Sequence, residues 1–210
     1  MFSFSLWFWA LLALLFYGST RFSNFDARVT SHLLAASGSA RETIAEFTSD
    51  GGNSGPLAAC LAVIAILGIV WNRPWHLLAA FGVFALANAT TQIMKLVLAH
   101  PRLQGALGVS YPIEIGYPSG HTTGAVSVAF AAWLVAPPRW RGWALAFGLL
   151  YASAVGIGVV VAGWHFISDV IGAVLVVGFW AALALAAMVT AKLEEPEDWL
   201  PAHQPETTAK

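Results

Sequence analysis

The 210 residues are 58% hydrophobic and 10% charged, with a formal net charge of -1. That balance excludes an ordinary water-soluble globular domain, and the lack of a broad basic field excludes nucleic acid as a partner. With a single cysteine, Cys60, no intrachain disulfide can form, and its place in an apolar run reads as burial.

A helix crosses about 30 Å of hydrocarbon with roughly 20 apolar residues. In chain order, apolar runs at Phe4–Tyr17, Pro56–Trp71, His76–Leu98, Gly120–Val135, Trp143–Ala162 and Ile167–Ala191 predict six spans, and so an all-α polytopic bundle. The N-terminus carries neither a basic segment nor a clear cleavage pattern, so the first run reads as a retained helix. After it, Phe22, Phe25, Val29, Leu33 and Ala36 recur every three or four residues, which predicts an interfacial amphipathic helix within residues 19–55. Asn72-Arg73-Pro74, His100-Pro101-Arg102, Pro137-Pro138-Arg139 and Gly163-Trp164 separate the later runs. Beyond Lys192, Glu194, Glu195, Glu197 and Asp198 with three prolines predict a solvated tail. The tryptophans cluster mostly near span ends, as an interfacial belt requires.

Counting spans puts residues 19–55, 99–119 and Gly163–Phe166 on one side of the membrane. Both termini fall on the other side with Arg73, Arg139 and Arg141, whose charge assigns that side to the cytoplasm.

Ionisable groups at membrane spans are costly and read as functional. His165 and Asp169 are four residues apart, so a helix starting near His165 puts them on one face, where Asp169 can hold one ring nitrogen and leave the other to attack. A purely structural pair has the same spacing. In Tyr117-Pro118-Ser119-Gly120-His121, Ser119 suits a helix cap and Gly120 suits close approach of a ligand to free amides that attract phosphate. His121 could then protonate a leaving oxygen, although Ser-Gly-His is equally a plain helix start. Lys95 and Arg102 fall on the same side; alone each reads as a snorkelling side chain, together with the histidines as a phosphate clamp. His32, His76 and His203 read as surface residues and His100 as a loop residue near Arg102.

These residues resemble the type 2 phosphatidic acid phosphatase superfamily, whose motifs are Lys-x6-Arg-Pro, Pro-Ser-Gly-His and Ser-Arg-x5-His-x3-Asp. The chain has Lys95-x6-Arg102, Pro118-Ser119-Gly120-His121 and His165-x3-Asp169 in that order. The resemblance implies a metal-independent lipid phosphatase without cofactors, acting on a phosphorylated lipid such as phosphatidate, phosphatidylglycerophosphate or a polyprenyl diphosphate. It implies His165 as nucleophile, Asp169 as its orienter, His121 as acid, and Lys95, Arg102, Ser119 and Gly120 as phosphate ligands. Residues 1–192 would form the membrane-embedded phosphatase domain in a bacterial-type inner membrane, with the site facing outward and 193–210 as a disordered cytoplasmic tail.

Two of the motifs depart from the pattern. Leu103 replaces the motif proline, and Gly158-Val159 replaces Ser-Arg, removing one phosphate-binding arginine. Arg21, Arg28 and Arg41 lie on the correct side to compensate. A lipid phosphotransferase and a catalytically degenerate lipid-binding relative are the alternatives. A zinc site of His121, His165 and Asp169 or a serine protease at Ser119 accounts for fewer of these residues.

Overall fold

The structure is a computed structural model and describes residues 20–36, 38–97 and 116–193. Among them the chain is helical throughout: α1 Thr20–Leu33, α2 Ala40–Asp50, α3 Ser54–Val70, α4 Pro74–Val97, α5 Gly120–Val135, α6 Pro138–Val161 and α7 Ile167–Thr190. The first apolar run, Arg102, His100, Leu103 and the acidic tail lie outside the described residues.

Helix α5 forms the centre. Its small and apolar residues Ala125, Ala131 and Leu134 are fully buried, and α3, α4, α6 and α7 pack around it. Large side chains on the surrounding helices, among them Ile69, Leu96, Phe147 and Leu150, face outward, as lipid-facing positions do. Helices α4, α6 and α7, each 24 residues, are long and apolar enough to cross a bilayer. Helices α2 and α3 meet at a bend of 48° and together meet the same criterion, whereas α5 has 16 residues. At about 1.5 Å per residue, α5 covers less than the hydrocarbon thickness. The expected count of six is thus met only in part.

The segment expected to be one interfacial helix is two helices, and its apolar stripe does not face the protein. In α1, Phe25 is 63% exposed while Ala27 and Thr30 are buried. The inward face is the polar one because the start of α7 needs acceptors. Asp26 Oδ1 accepts from Ser168 N at 3.3 Å, Asp26 Oδ2 from Ser168 Oγ at 2.5 Å, and Thr30 Oγ1 from Ile167 N at 3.4 Å. These bonds satisfy amides that a helix start leaves open.

Helix α2 packs against α6 through Ala45 and Ser49, both buried. Gly158 permits this approach: a Cβ there would lie 2.4 Å from Thr48 Oγ1, 2.8 Å from the Ala45 carbonyl and 2.9 Å from Ser49 Oγ. Where the family pattern has serine, close helix packing requires glycine.

Three expectations at the opposite end of the bundle also change. Helix α6 begins at Pro138, five residues before the expected Trp143, because proline is favoured in a first turn. Arg141 therefore lies in a helix, 1% exposed, with Nε donating to the Ala136 carbonyl at 3.1 Å and its guanidinium 5.7 Å from the Trp133 ring centroid. Arg73 donates to the same carbonyl at 2.7 Å and contacts His76, which is buried and not a surface histidine. Cys60 is partly buried.

Gly158→Ala is expected to lower the midpoint of thermal unfolding in detergent, corresponding to about 1–3 kcal/mol of overpacking. Gly82→Ala, where an added Cβ meets nothing within 4 Å, is the control and should keep the midpoint or raise it slightly, since alanine favours a helix interior over glycine.

Candidate active site

The end of α6 and the start of α7 form the turn that carries the first histidine. Gly163 adopts φ +77, a left-handed conformation that glycine takes readily. Gly163 N then donates to the Val160 carbonyl and Trp164 N to the Val159 carbonyl, closing α6 in a Schellman arrangement. His165 N also donates to the Val159 carbonyl, at 3.0 Å. Val159, where the family pattern has arginine, is fully buried and supports the histidine through its backbone.

Asp169 is fully buried one helical turn after His165. Its Oδ2 accepts from His165 Nδ1 at 3.0 Å and from Phe166 N at 2.9 Å. The carboxylate therefore orients the imidazole and caps α7. His165 Nε2 has no hydrogen-bond partner among the described residues and is the nitrogen available to attack.

The start of α5 is tied to the same residue. Ser119 N donates to the Asp169 carbonyl at 3.1 Å, while Ser119 Oγ accepts from Thr122 N at 3.3 Å and from Thr122 Oγ1 at 3.1 Å. The cap expected of Ser119 is present, and its side chain is buried. Thr123 N donates to the Ser119 carbonyl. The amides of Gly120 and His121 are left without an acceptor among the described residues, at a helix terminus whose partial positive charge attracts anions. Tyr117 packs on Gly172 of α7, where a Cβ would approach the ring to 2.5 Å. Burial, reinforced by the Asp169 carboxylate, pushes its phenol up to about 12, so it remains protonated at neutral pH.

Lys95 reaches this terminus from the end of α4. A Cβ on Gly120 would lie 3.2 Å from Lys95 Nζ, so glycine keeps the space between ammonium and backbone open. The His121 and His165 ring centroids are 6.4 Å apart, and the His121 centroid is 5.5 Å from that of Trp164. His165, Asp169, His121, Ser119, Gly120 and Lys95 are thus brought together; Arg102 lies outside the described residues. Among the candidate compensating cations, Arg28 is exposed and Arg41 is engaged with the Leu33 carbonyl at 2.8 Å. No three His, Cys, Asp or Glu side chains among the described residues are grouped to hold a metal ion.

Sequence reasoning missed Asn53, whose Oδ1 lies 3.0 Å from His121 Nε2, and the Asp26 and Thr30 caps of α7. The available signals were the Gly51-Gly52-Asn53 break ahead of an apolar run and the four-residue spacing of Asp26 and Thr30.

Comparison with known proteins gives two matches. The family model for the PAP2 superfamily matches residues 75–193. A solved structure, the first transmembrane PAP2 type phosphatidylglycerolphosphate phosphatase from Bacillus subtilis, is 19% identical with a TM-score of 0.75, covering 91% of this chain and 96% of that one. No curated protein sequence matches.

Asp169→Asn keeps the side-chain shape but can offer an amide where His165 Nδ1–H needs an acceptor. Phosphate release by the purified protein is expected to fall by about two to four powers of ten. Undiminished turnover would mean that the pair is structural.

Proposed function

The chain belongs to the PAP2 superfamily, and from that premise we propose that it is a lipid phosphatase working through a phosphohistidine on His165. The observation carrying this reading is the His165 ring 6.4 Å from that of His121, which sits at a helix start with two open amides, while His165 Nδ1 is held by a buried carboxylate. The phosphate oxygens are held by the Gly120 and His121 amides, Ser119, Lys95 and Arg102. Attack by His165 Nε2 on phosphorus breaks the bond to the leaving oxygen, which takes a proton from His121. Water then gives one of its own protons to His121 as its oxygen attacks phosphorus, and the phosphorus–nitrogen bond breaks to release phosphate. Charge on the transferring group is balanced by the ammonium, the guanidinium and the helix terminus, so the scheme uses no metal.

The substrate class follows from depth. The site lies where α4 ends and α5 and α7 begin; with these helices spanning the bilayer as proposed, that end falls at the boundary between hydrocarbon and water, so a phosphate on a lipid headgroup reaches it with its chains still in the bilayer. Phosphatidate, phosphatidylglycerophosphate and polyprenyl diphosphate all meet that requirement. In the proposed topology six spans, including the first apolar run, make up residues 1–192, the site faces outward across a bacterial-type inner membrane, and the tail is cytoplasmic.

Val159 favours one second reading, a relative that binds phosphorylated lipid without turnover, because the motif cation is absent there. Release of inorganic phosphate from the three lipids in mixed micelles separates the two. Hydrolysis of at least one is expected, falling roughly a thousandfold or more in His165→Ala. Binding without release supports the second reading, label appearing on another lipid indicates a phosphotransferase, and unchanged turnover in His165→Ala removes it as nucleophile.

A further inference from the structure

The turn joining α2 to α3, Asp50-Gly51-Gly52-Asn53, belongs to none of the three motifs yet touches the proposed acid. Asn53 Oδ1 is 3.0 Å from His121 Nε2, and Asn53 Nδ2 donates to Asp50 Oδ1 at 2.9 Å. The second bond determines the sense of the first. A carboxylate only accepts, so the amide nitrogen faces Asp50 and the amide oxygen faces His121. An acceptor opposite Nε2 requires a proton on Nε2, which leaves Nδ1 as the nitrogen that gives and takes a proton.

The backbone is built to hold this contact. A Cβ on Gly52 would lie 2.6 Å from His121 Cβ and 2.9 Å from His121 Cα, so glycine lets the turn close onto the histidine. Tyr151 anchors the turn from α6, its hydroxyl donating to the Gly51 carbonyl at 2.5 Å. Asn53 occupies the cap position of α3 without a side-chain capping bond, so its amide is committed to Asp50 and His121.

We propose that Asn53, anchored by Asp50 and seated by Gly52, is a positioning residue that fixes the Nε2–H tautomer of His121 and aims Nδ1 at the leaving oxygen. This rests on the reading of His121 as the acid. When His165 Nε2 attacks phosphorus, the electron pair of the breaking phosphorus–oxygen bond takes the Nδ1 proton, and His121 becomes neutral while keeping its Nε2 proton on Asn53. In the second step Nδ1 takes a proton from the attacking water and returns to the starting state.

Misaiming the acid harms a substrate in proportion to how much its leaving oxygen needs a proton. From phosphatidic acid the diacylglycerol leaves as an alkoxide and needs one; from 4-nitrophenyl phosphate the 4-nitrophenol leaves as a stabilised phenolate and does not. With the full chain in detergent and enzyme in excess over substrate, so that only the transfer to His165 is read, Asn53→Ala is expected to slow single-turnover release of diacylglycerol from phosphatidic acid by about ten- to a hundredfold, and to leave single-turnover release of 4-nitrophenol from 4-nitrophenyl phosphate near wild type. An equal loss on both substrates, or no loss on phosphatidic acid, overturns the positioning role. His121→Ala tests the underlying reading. If it shows the substrate split and Asn53→Ala does not, only the positioning role falls. If His121→Ala keeps wild-type turnover on phosphatidic acid, or wild type is inert toward both probes, the assignment of the acid and this proposal fall together.

Discussion

The buried carboxylate of Asp169 is the constraint on which the site depends. An ionised group removed from water is destabilising by several kcal/mol unless its lone pairs are taken up. Here they are, by the ring nitrogen of His165 and the amide of Phe166. Through its backbone carbonyl the same residue receives the amide of Ser119. One residue therefore sets the rotation of the proposed nucleophile, caps the helix bearing it and fixes where the anion-attracting start of α5 begins. Removing the carboxylate would unbalance the first two of these together, since the third rests on the backbone carbonyl, so a loss of activity at Asp169 has to be judged against stability.

Around that centre the protein solves a problem set by the bilayer. Lipid offers no hydrogen bonds, so the amides at the start of α7 must find acceptors within the chain, and α1 turns its polar face inward to supply them. Its apolar residue Phe25 faces out. On the other side of the site, α2 lies so close to α6 that only glycine fits at position 158. The departure of Gly158 from the family pattern thus has a packing cause. At the neighbouring position, Val159 provides a carbonyl to the turn that carries His165.

Much of this was legible in the sequence. The fourth and seventh helices fall within a few residues of their expected bounds and the fifth matches them, because long apolar runs ended by Asn-Arg-Pro, Pro-Pro or Gly-Trp leave little choice of register. The four-residue spacing of His165 and Asp169 and the serine cap before His121 carried over directly, since both depend on local helix geometry. What was not legible depends on tertiary contacts. Periodicity locates the apolar stripe of α1 but not whether lipid or protein lies against it. Arg141 looked like a loop cation because a Pro-Pro pair reads as a break, yet the second proline opens α6 and the arginine folds over Trp133. Asn53 and His121 are 68 residues apart, and no spacing rule connects them.

The central claim is that His165, held by Asp169, takes the phosphoryl group onto Nε2. Its most direct test is to mix the purified protein with lipid carrying labelled phosphate, quench in alkali where phosphohistidine survives, and locate the label by peptide mass analysis. The account predicts label on His165 in wild type and none in His165→Ala. Label on another residue, or phosphate release with no labelled protein at any time during turnover, would contradict it.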